Sequence, residues 1–171
     1  EAGAMAVGLS GVDGCLMEAE PLGPELGAVG RPVQANSDLL ELLAQHGYLP
    51  VVACVAADRR GRIYNVNADQ MAAALAVGFR AETLILLTDV GGVLDGNGGV
   101  LPELTANQAR RLIAEGIATG GMQAKPEAAL GALEAGVGRI LIAPGAETGI
   151  VPRLLAGEHI GTRLIARENH S

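Results

Sequence analysis

The 171-residue sequence contains no tryptophan, one phenylalanine and two tyrosines, so its hydrophobic core must be built from aliphatic side chains. Charged residues are also scarce, at 18%, whereas hydrophobic residues make up 49%. This composition excludes a disordered chain and predicts a sizeable core. The length fits one ordinary domain, or one domain with part of another.

Basic residues are few, and the net charge is −7. No basic stripe is present that could neutralise phosphates along a nucleic acid, so we expect no nucleic-acid partner. The densest basic cluster consists of Arg59, Arg60 and Arg62, in a predicted turn. We interpret it as a solvated loop.

The chain has only two cysteines, and their spacing indicates neither a zinc site nor a disulfide scaffold. We therefore expect no metal held by protein ligands and a reducing, cytoplasmic compartment. No apolar run reaches membrane length and no signal peptide opens the chain, so no membrane association is expected. The first residue is not methionine, and residues 8–11 already resemble the end of a strand. We expect the sequence to begin partway through a protein.

Apolar runs and helical patterns alternate along the chain. Residues 4–11 predict a strand, residues 15–34 a hairpin, and residues 39–47 a helix that ends at a glycine. Continuous apolar runs at residues 49–57, 83–90 and 139–145 predict strands that are covered on both faces. The expected fold is therefore α/β, a three-layer αβα sandwich with a mainly parallel central sheet. In such folds ligands bind where loops leave the carboxyl ends of strands.

The motif NVNADQ, at residues 65–70, has polar side chains at alternate positions. One interpretation is local: Asn67 caps a helix, and Asp69 favours its positive N-terminal end. The other is functional: in an extended run Asn65, Asn67 and Asp69 share one face, where they could recognise a polar substrate. Capping explains Asn67 and Asp69 but not Asn65.

The motif LLTDVGG places Asp89 directly after a strand-like run and before Gly91 and Gly92. These glycines would let a ligand approach the backbone closely. The alternative is an ordinary strand exit, in which the aspartate forms a turn. Neither GxxxxGK[ST] nor GxGxxG occurs in the sequence, so this loop is of neither of those phosphate-binding types.

Lys125 is the only lysine in the chain. It follows Gly120 and Gly121 and precedes Pro126, a pattern that predicts the first turn of a helix. Helix N-termini bind phosphates but disfavour cations. The position therefore suggests an anion beside Lys125, and the alternative is an exposed lysine near a loop.

Three segments occur together: YNVNADQMAAALAVG, LILLTDVGGVLDGNGGVLPELT and GIATGGMQAKPEAALGALEAGV. Their order and spacing resemble the amino-acid kinase family, over essentially the whole chain. The NVNAD and GGM-x-x-K elements are typical of the branch that phosphorylates N-acetyl-L-glutamate, whereas TD-x-x-GV is shared more widely. The resemblance implies a carbamate kinase-like fold. It also implies transfer of the γ-phosphoryl group of MgATP to the side-chain carboxylate of N-acetyl-L-glutamate, in arginine biosynthesis.

The resemblance also implies roles for individual residues. Lys125 would neutralise charge on the transferring phosphoryl group, and Asp69 would organise the catalytic lysines. Asn65 and Asn67 would bind the acetylglutamate. Mg²⁺ would be carried on the ATP phosphates rather than by protein ligands. The implied nucleotide-binding residues are Asp89, Val90, Gly91, Gly92, Val93, Leu94, Ile117, Ala118, Thr119, Gly121 and Met122.

The sequence departs from the family at its N-terminus. Family members carry there a strand, a lysine, a glycine-rich phosphate-binding loop and an arginine that clamps the substrate, none of which is present. We expect an N-terminally truncated fold, in which residues 1–66 belong to the acetylglutamate-binding and dimerisation half and residues 67–171 to the nucleotide-binding half. The resemblance implies a homodimer for the full-length enzyme. Arg153 replaces the histidine of arginine-inhibited members, so we expect little feedback by arginine.

Three alternatives remain. The first is a related kinase that acts on another acceptor, such as an aminoadipate derivative, glutamate, aspartate or carbamate. The second is a non-catalytic nucleotide-binding remnant. The third is a doubly wound domain that binds another small anion.

Overall fold

The structure is a computed structural model that describes residues 3–116 and 121–165, with side chains from residue 125 onward in the second range. The chain forms two compact units, Glu1–Arg80 and Ala81–Ser171. Each unit is described by itself.

The first unit contains six strands and two α-helices among its described residues. The strands are β1 (Ala6–Ser10), β2 (Met17–Pro21), β3 (Val29–Ala35), β4 (Leu49–Ala53), β5 (Val55–Ala57) and β6 (Ile63–Val66). The helices are α1 (Asp38–Gln45) and α2 (Ala68–Gly78), and short 3₁₀ turns lie at Asp13–Cys15 and Pro24–Leu26.

Four of these strands close into a ring in the order β2-β3-β6-β5. Strands β2 and β3 pair antiparallel, which confirms the predicted hairpin. Side chains alternate between the inside and the outside of the ring, so Tyr64 and Val66 of β6 are buried while Asn65 between them is exposed. The core of the ring consists of Met17, Ala19, Ala56, Tyr64, Val66 and, from α2, Met71.

The apolar run at residues 49–57 is not one strand covered on both faces. It divides at Cys54 into β4, which pairs in parallel with β1, and β5, which joins the ring. In β4, Leu49 and Val51 are 54% and 55% exposed. The prediction of a doubly covered strand is therefore wrong for β4, because its side chains alternate between a half-buried and an exposed face.

Helix α2 belongs to the first unit, because Met71 packs into the core of the ring and Gly78 lies against Ala35 of β3. The boundary between the units therefore falls after α2, whereas the sequence places the division into two halves before it. The alanine-rich sequence of α2 favours a helix, and its small side chains permit this close packing.

The second unit is built on a four-stranded sheet. Its strands are β7 (Thr83–Thr88), β8 (Glu103–Thr105), β9 (Arg139–Pro144) and β10 (Thr162–Ile165), in the order β7-β9-β10-β8. The pairs β7–β9 and β8–β10 are parallel and β9–β10 is antiparallel. The helices are α3 (Ala106–Ala114), α4 (Gly121–Glu134) and α5 (Ile150–Leu155).

Helices cover both faces of this sheet. Helix α4 packs on β7, β9 and β10, with α3 beside it. On the other face, Ile150 and Leu154 of α5 pack against Leu141 and Ala143 of β9. These layers agree with the predicted α/β sandwich. None of the helices among the described residues is both long enough and apolar enough to span a membrane.

Candidate functional site

The predicted site residues fall into two groups, one in each unit. The first follows β6, where Asn67 is the N-cap of α2. Its Oδ1 atom accepts hydrogen bonds from the backbone N–H groups of Asp69 and Gln70, at 3.0 and 3.1 Å. This geometry agrees with the capping interpretation of Asn67. Residues 65–69 do not form one extended run, so the three polar side chains do not share a strand face.

Asn65 lies in the last part of β6 and points out of the ring of strands. Its backbone is held firmly: its N–H donates to the carbonyl of Ala28, at 2.8 Å, and it pairs with Val29 and Val55. Its side chain is exposed and makes no hydrogen bond to other described residues. The backbone of Asn65 is therefore fixed, and its exposed side-chain amide is open to a ligand. Asp69 is half-buried in the first turn of α2, where the helix dipole favours a negative charge.

A cavity of about 580 Å³ lies beside β6, between residues 62–64 and residues 21–28. Arg62 lines it and donates through Nε to Asp58, at 2.7 Å. Asp58 also accepts from the backbone N–H of Arg62 and from Tyr64, at 3.0 and 3.3 Å. Hydrogen bonds from Arg62, first from its backbone N–H and then from its side chain, and from the N–H of Arg60 lower the pKa of Asp58 to about 2. The Asp58 carboxylate thus stabilises the turn that leads into β6.

All three arginines of the basic cluster in this turn are exposed, which agrees with the solvated loop that the sequence suggests. Arg59 pairs with Glu18, at 2.8 Å, and Arg62 pairs with Asp58. Both arginines are largely exposed, so these pairs contribute little to stability.

The second group begins where β7 ends. Thr88 is buried and pairs with Pro144 of the parallel strand β9, so two strands end together at this edge of the sheet. The Thr88 carbonyl accepts from the N–H of Gly145, at 2.7 Å, which ties the two exits to each other. The Thr88 hydroxyl donates to Oδ1 of Asp89, at 3.2 Å, and Asp89 is exposed. A carboxylate thus stands at the type of edge where α/β sheets bind ligands.

Residues 89–94 then form a loop whose glycines pack closely against Val100 and Thr162. A Cβ atom on Gly91 would lie 2.9 Å from Val100, and one on Gly92 would lie 2.7 Å from Oγ1 of Thr162. Close packing within the chain therefore explains why glycine occupies both positions, whether or not a ligand also approaches them. Val93 is fully buried, and its carbonyl accepts from the N–H of Leu101, at 2.9 Å.

The predicted turn at residues 95–99 is organised by one carboxylate. Asp95 Oδ1 accepts from the N–H groups of Asn97 and Gly99, both at 2.8 Å. The arms meet at a single antiparallel bridge between Leu94 and Val100. The hairpin therefore has the predicted turn, but its arms are too short to form strands.

Lys125 does not stand in the first turn of its helix. Helix α4 already includes Gly121, so Lys125 is its fifth residue and Pro126 its sixth. The prediction for these two residues is wrong. It follows that the helix dipole, whose effect is concentrated in the first turn, says little about Lys125. Pro126 removes one backbone hydrogen bond inside the helix and is almost fully buried.

Ile117, Ala118 and Thr119 lie outside the described residues. Gly121 and Met122 begin α4, but their side chains also lie outside them. In the described part of the chain, no group of three or more His, Cys, Asp or Glu side chains is arranged to hold a metal ion.

Two residues that shape the loop were not identified by sequence reasoning. Thr162 and Val100 lie 70 and 8 positions beyond Gly92 in the chain, and they meet the glycines only through the fold. The strand pattern does not single out Thr162, because β10 begins with two polar residues, Thr162 and Arg163.

The sequence profile of the amino acid kinase family matches residues 1–144. The chain therefore belongs to this family, as its motifs indicate. The carbamate kinase of Giardia lamblia bound to citric acid has the same fold: its TM-score is 0.68 at 21% identity, over 81% of this chain and 46% of that one. The predicted fold class is thus confirmed.

Two further proteins are more similar. The acetylglutamate kinase of Solibacter usitatus is 62% identical over 96% of this chain and 64% of its own length. The crystal structure of smu.665 from Streptococcus mutans has a TM-score of 0.83 at 32% identity, over 97% of this chain and 63% of that one. The chain therefore spans less than two thirds of the length of these relatives.

Proposed function

We propose that the chain is part of an acetylglutamate kinase, which transfers the γ-phosphoryl group of MgATP to the side-chain carboxylate of N-acetyl-L-glutamate. The observation that carries this proposal is the 62% identity to an acetylglutamate kinase across 96% of the chain. The alternatives, a kinase for another acceptor or a non-catalytic remnant, have no comparable observation in their favour.

The second unit is proposed to bind MgATP. Support comes from the loop at residues 89–94, which leaves the carboxyl end of a parallel strand and exposes Asp89. Two hydrogen bonds hold the backbone of Val93 in this loop: its N–H donates to Oγ1 of Thr162, and its carbonyl accepts from the N–H of Leu101. The proposal includes Ile117, Ala118, Thr119, Gly121 and Met122, which the family resemblance assigns to the same nucleotide.

Lys125 is proposed to neutralise charge on the phosphoryl group during transfer. In phosphoryl transfer the protein does little covalent work, and catalysis rests on positioning and charge stabilisation. A lysine suits this role because its ammonium group is a compact charge on a flexible stem. Mg²⁺ would be carried on the phosphates of the substrate MgATP.

The first unit is proposed to contribute to binding of N-acetyl-L-glutamate. Asn65 is the strongest candidate, since its backbone is fixed and its amide is exposed. Asn67 is a weaker one, because its Oδ1 atom already caps α2. Asp69 is proposed as a catalytic carboxylate. A cytoplasmic homodimer of the full-length enzyme completes the proposal, and sedimentation of that enzyme would measure its oligomeric state.

The proposal is tested by isothermal titration of this chain with MgADP, and then with a non-hydrolysable ATP analogue in the presence of N-acetyl-L-glutamate. We expect saturable nucleotide binding that is lost in Asp89→Ala. The matched control is Glu82→Ala, which removes an exposed carboxylate just before the same strand. Absence of nucleotide binding by a chain that circular dichroism shows to be folded would refute the nucleotide site. Equal losses in both variants would refute the role of Asp89.

A further inference from the structure

Thr162, the first residue of β10, is a polar residue with no exposed surface. A buried hydroxyl is costly unless it is hydrogen-bonded. The Thr162 hydroxyl is used both as a donor and as an acceptor: Oγ1 donates to the carbonyl of Leu101, at 2.6 Å, and accepts from the N–H of Val93, at 2.8 Å. The hydroxyl therefore joins two segments that lie far from it in sequence.

The first segment is the loop at residues 89–94, which contains Val93. The second is the arm of the hairpin that follows the turn at residues 95–99, and it contains Leu101. The same Oγ1 atom also limits the space beside Gly92, where a Cβ atom would lie at 2.7 Å. One hydroxyl thus fixes both the hydrogen bonding and the close approach of the loop backbone.

We propose that Thr162 is a positioning residue, which holds residues 89–94 in the geometry that binds the nucleotide. This inference rests on the proposed function of that loop. Because Thr162 is fully buried, it acts through the backbone of Val93 and Gly92 rather than by touching a ligand. Without the hydroxyl, the fully buried Val93 N–H has no acceptor, and the loop must shift to find one.

Two variants separate the hydroxyl from the shape of the side chain. Thr162→Val keeps the shape and removes both hydrogen bonds, whereas Thr162→Ser keeps the hydroxyl and removes a methyl group. For Thr162→Val we expect the Kd of MgADP to rise by about tenfold, the scale set by one unsatisfied buried group. Thr162→Ser should bind close to the wild-type Kd. Amide exchange at Val93 should accelerate in Thr162→Val and stay slow in Thr162→Ser.

Thr105→Val is the matched control. Thr105 is also buried, at 7% exposure, and its hydroxyl caps α3 by accepting from the N–H of Gln108, at 3.2 Å. The variant loses a structural hydroxyl in the same unit but none that touches residues 89–94. We expect it to lower the melting temperature and to leave the Kd of MgADP unchanged.

The outcomes are distinguishable. No nucleotide binding by the wild-type chain overturns the proposed nucleotide site, and with it the role of Thr162. If the wild type binds but Thr162→Val binds equally well while Val93 exchanges faster, the hydroxyl is only structural and the inference is wrong. Unchanged exchange at Val93 refutes it directly. If Thr162→Val does not fold, Thr162→Cys, with a weaker donor of similar size, must show the same direction of loss.

Discussion

Gly161 should be one of the least replaceable residues in the second unit. It precedes Thr162 and has φ = +77°, in the left-handed region. A Cβ atom there would overlap the carbonyl oxygen of Ile142 and lie 2.9 Å from Cα of Ala143. Both are backbone atoms of the central strand β9, so neither can move aside without disturbing the sheet.

The expected cost of Gly161→Ala has two parts. The left-handed conformation costs about 1–2 kcal/mol for a residue with a Cβ atom. Forcing an added methyl group into a packed region costs about 1–3 kcal/mol more. The second unit should therefore lose about 2–5 kcal/mol of its free energy of unfolding.

Gly157→Ala is the matched control. Gly157 and Gly161 both lie in the loop between α5 and β10, and Gly157 has φ = +94°. A Cβ atom added to Gly157 would meet no atom within 4 Å apart from its own chain neighbours. It should show only the conformational cost of about 1–2 kcal/mol. The difference between the two variants isolates the clash with β9.

Urea unfolding followed by circular dichroism measures both changes, and amide exchange at Ile140 and Ile142 assigns them to the second unit. Equal destabilisation by the two variants would show that β9 yields to the added methyl group. That result would refute the expected clash between a Cβ atom at Gly161 and the backbone of β9.

Three further predictions concern the candidate site. Asn67→Ala should cost about 1 kcal/mol of stability through loss of the helix cap, whereas Asn67→Ser should keep the cap and the stability, as measured by thermal unfolding. Weaker acetylglutamate binding in Asn67→Ser would instead support a substrate role for Asn67. Asp58 has a depressed pKa, so its contribution to stability is present above about pH 4 and is lost as the pH falls toward 2. The difference in unfolding free energy between the wild type and Asp58→Asn should shrink over that window, and a difference that stays constant from pH 6 to pH 2 contradicts this. In an enzyme of the relatives' full length, Lys125→Ala should lower kcat by about 10² or more with little change in the KM for acetylglutamate, and an unchanged kcat would eliminate its proposed role.

The sequence predicted those parts of the fold whose signal is local. The turn residues between β2 and β3 predicted a hairpin, and the cap at Asn67 located the start of α2. The apolar run of β7, followed by Asp89, located a strand exit at the carboxyl edge of a sheet. Each of these depends on residues within a few positions of one another.

Predictions failed where neighbours distant in sequence decide the outcome. Nothing in residues 49–57 shows that Cys54 divides the run, because the division reflects different partners: β1 for β4, and β2 and β6 for β5. The start of α4 was missed for another reason. Pro126 favours the first helical turn, but here it is the sixth residue of the helix and is almost fully buried.

The glycine pair shows how a local motif can be right about position and incomplete about cause. Gly91 and Gly92 suggested a backbone left open for a ligand. In the structure, the space beside them is taken by Val100 and Thr162. Packing against Val100 and Thr162 is compatible with ligand approach, because these two residues hold one side of the loop and a ligand would contact the other side. The sequence could supply only the glycines, since the residues that make them necessary come together only when the strands pair.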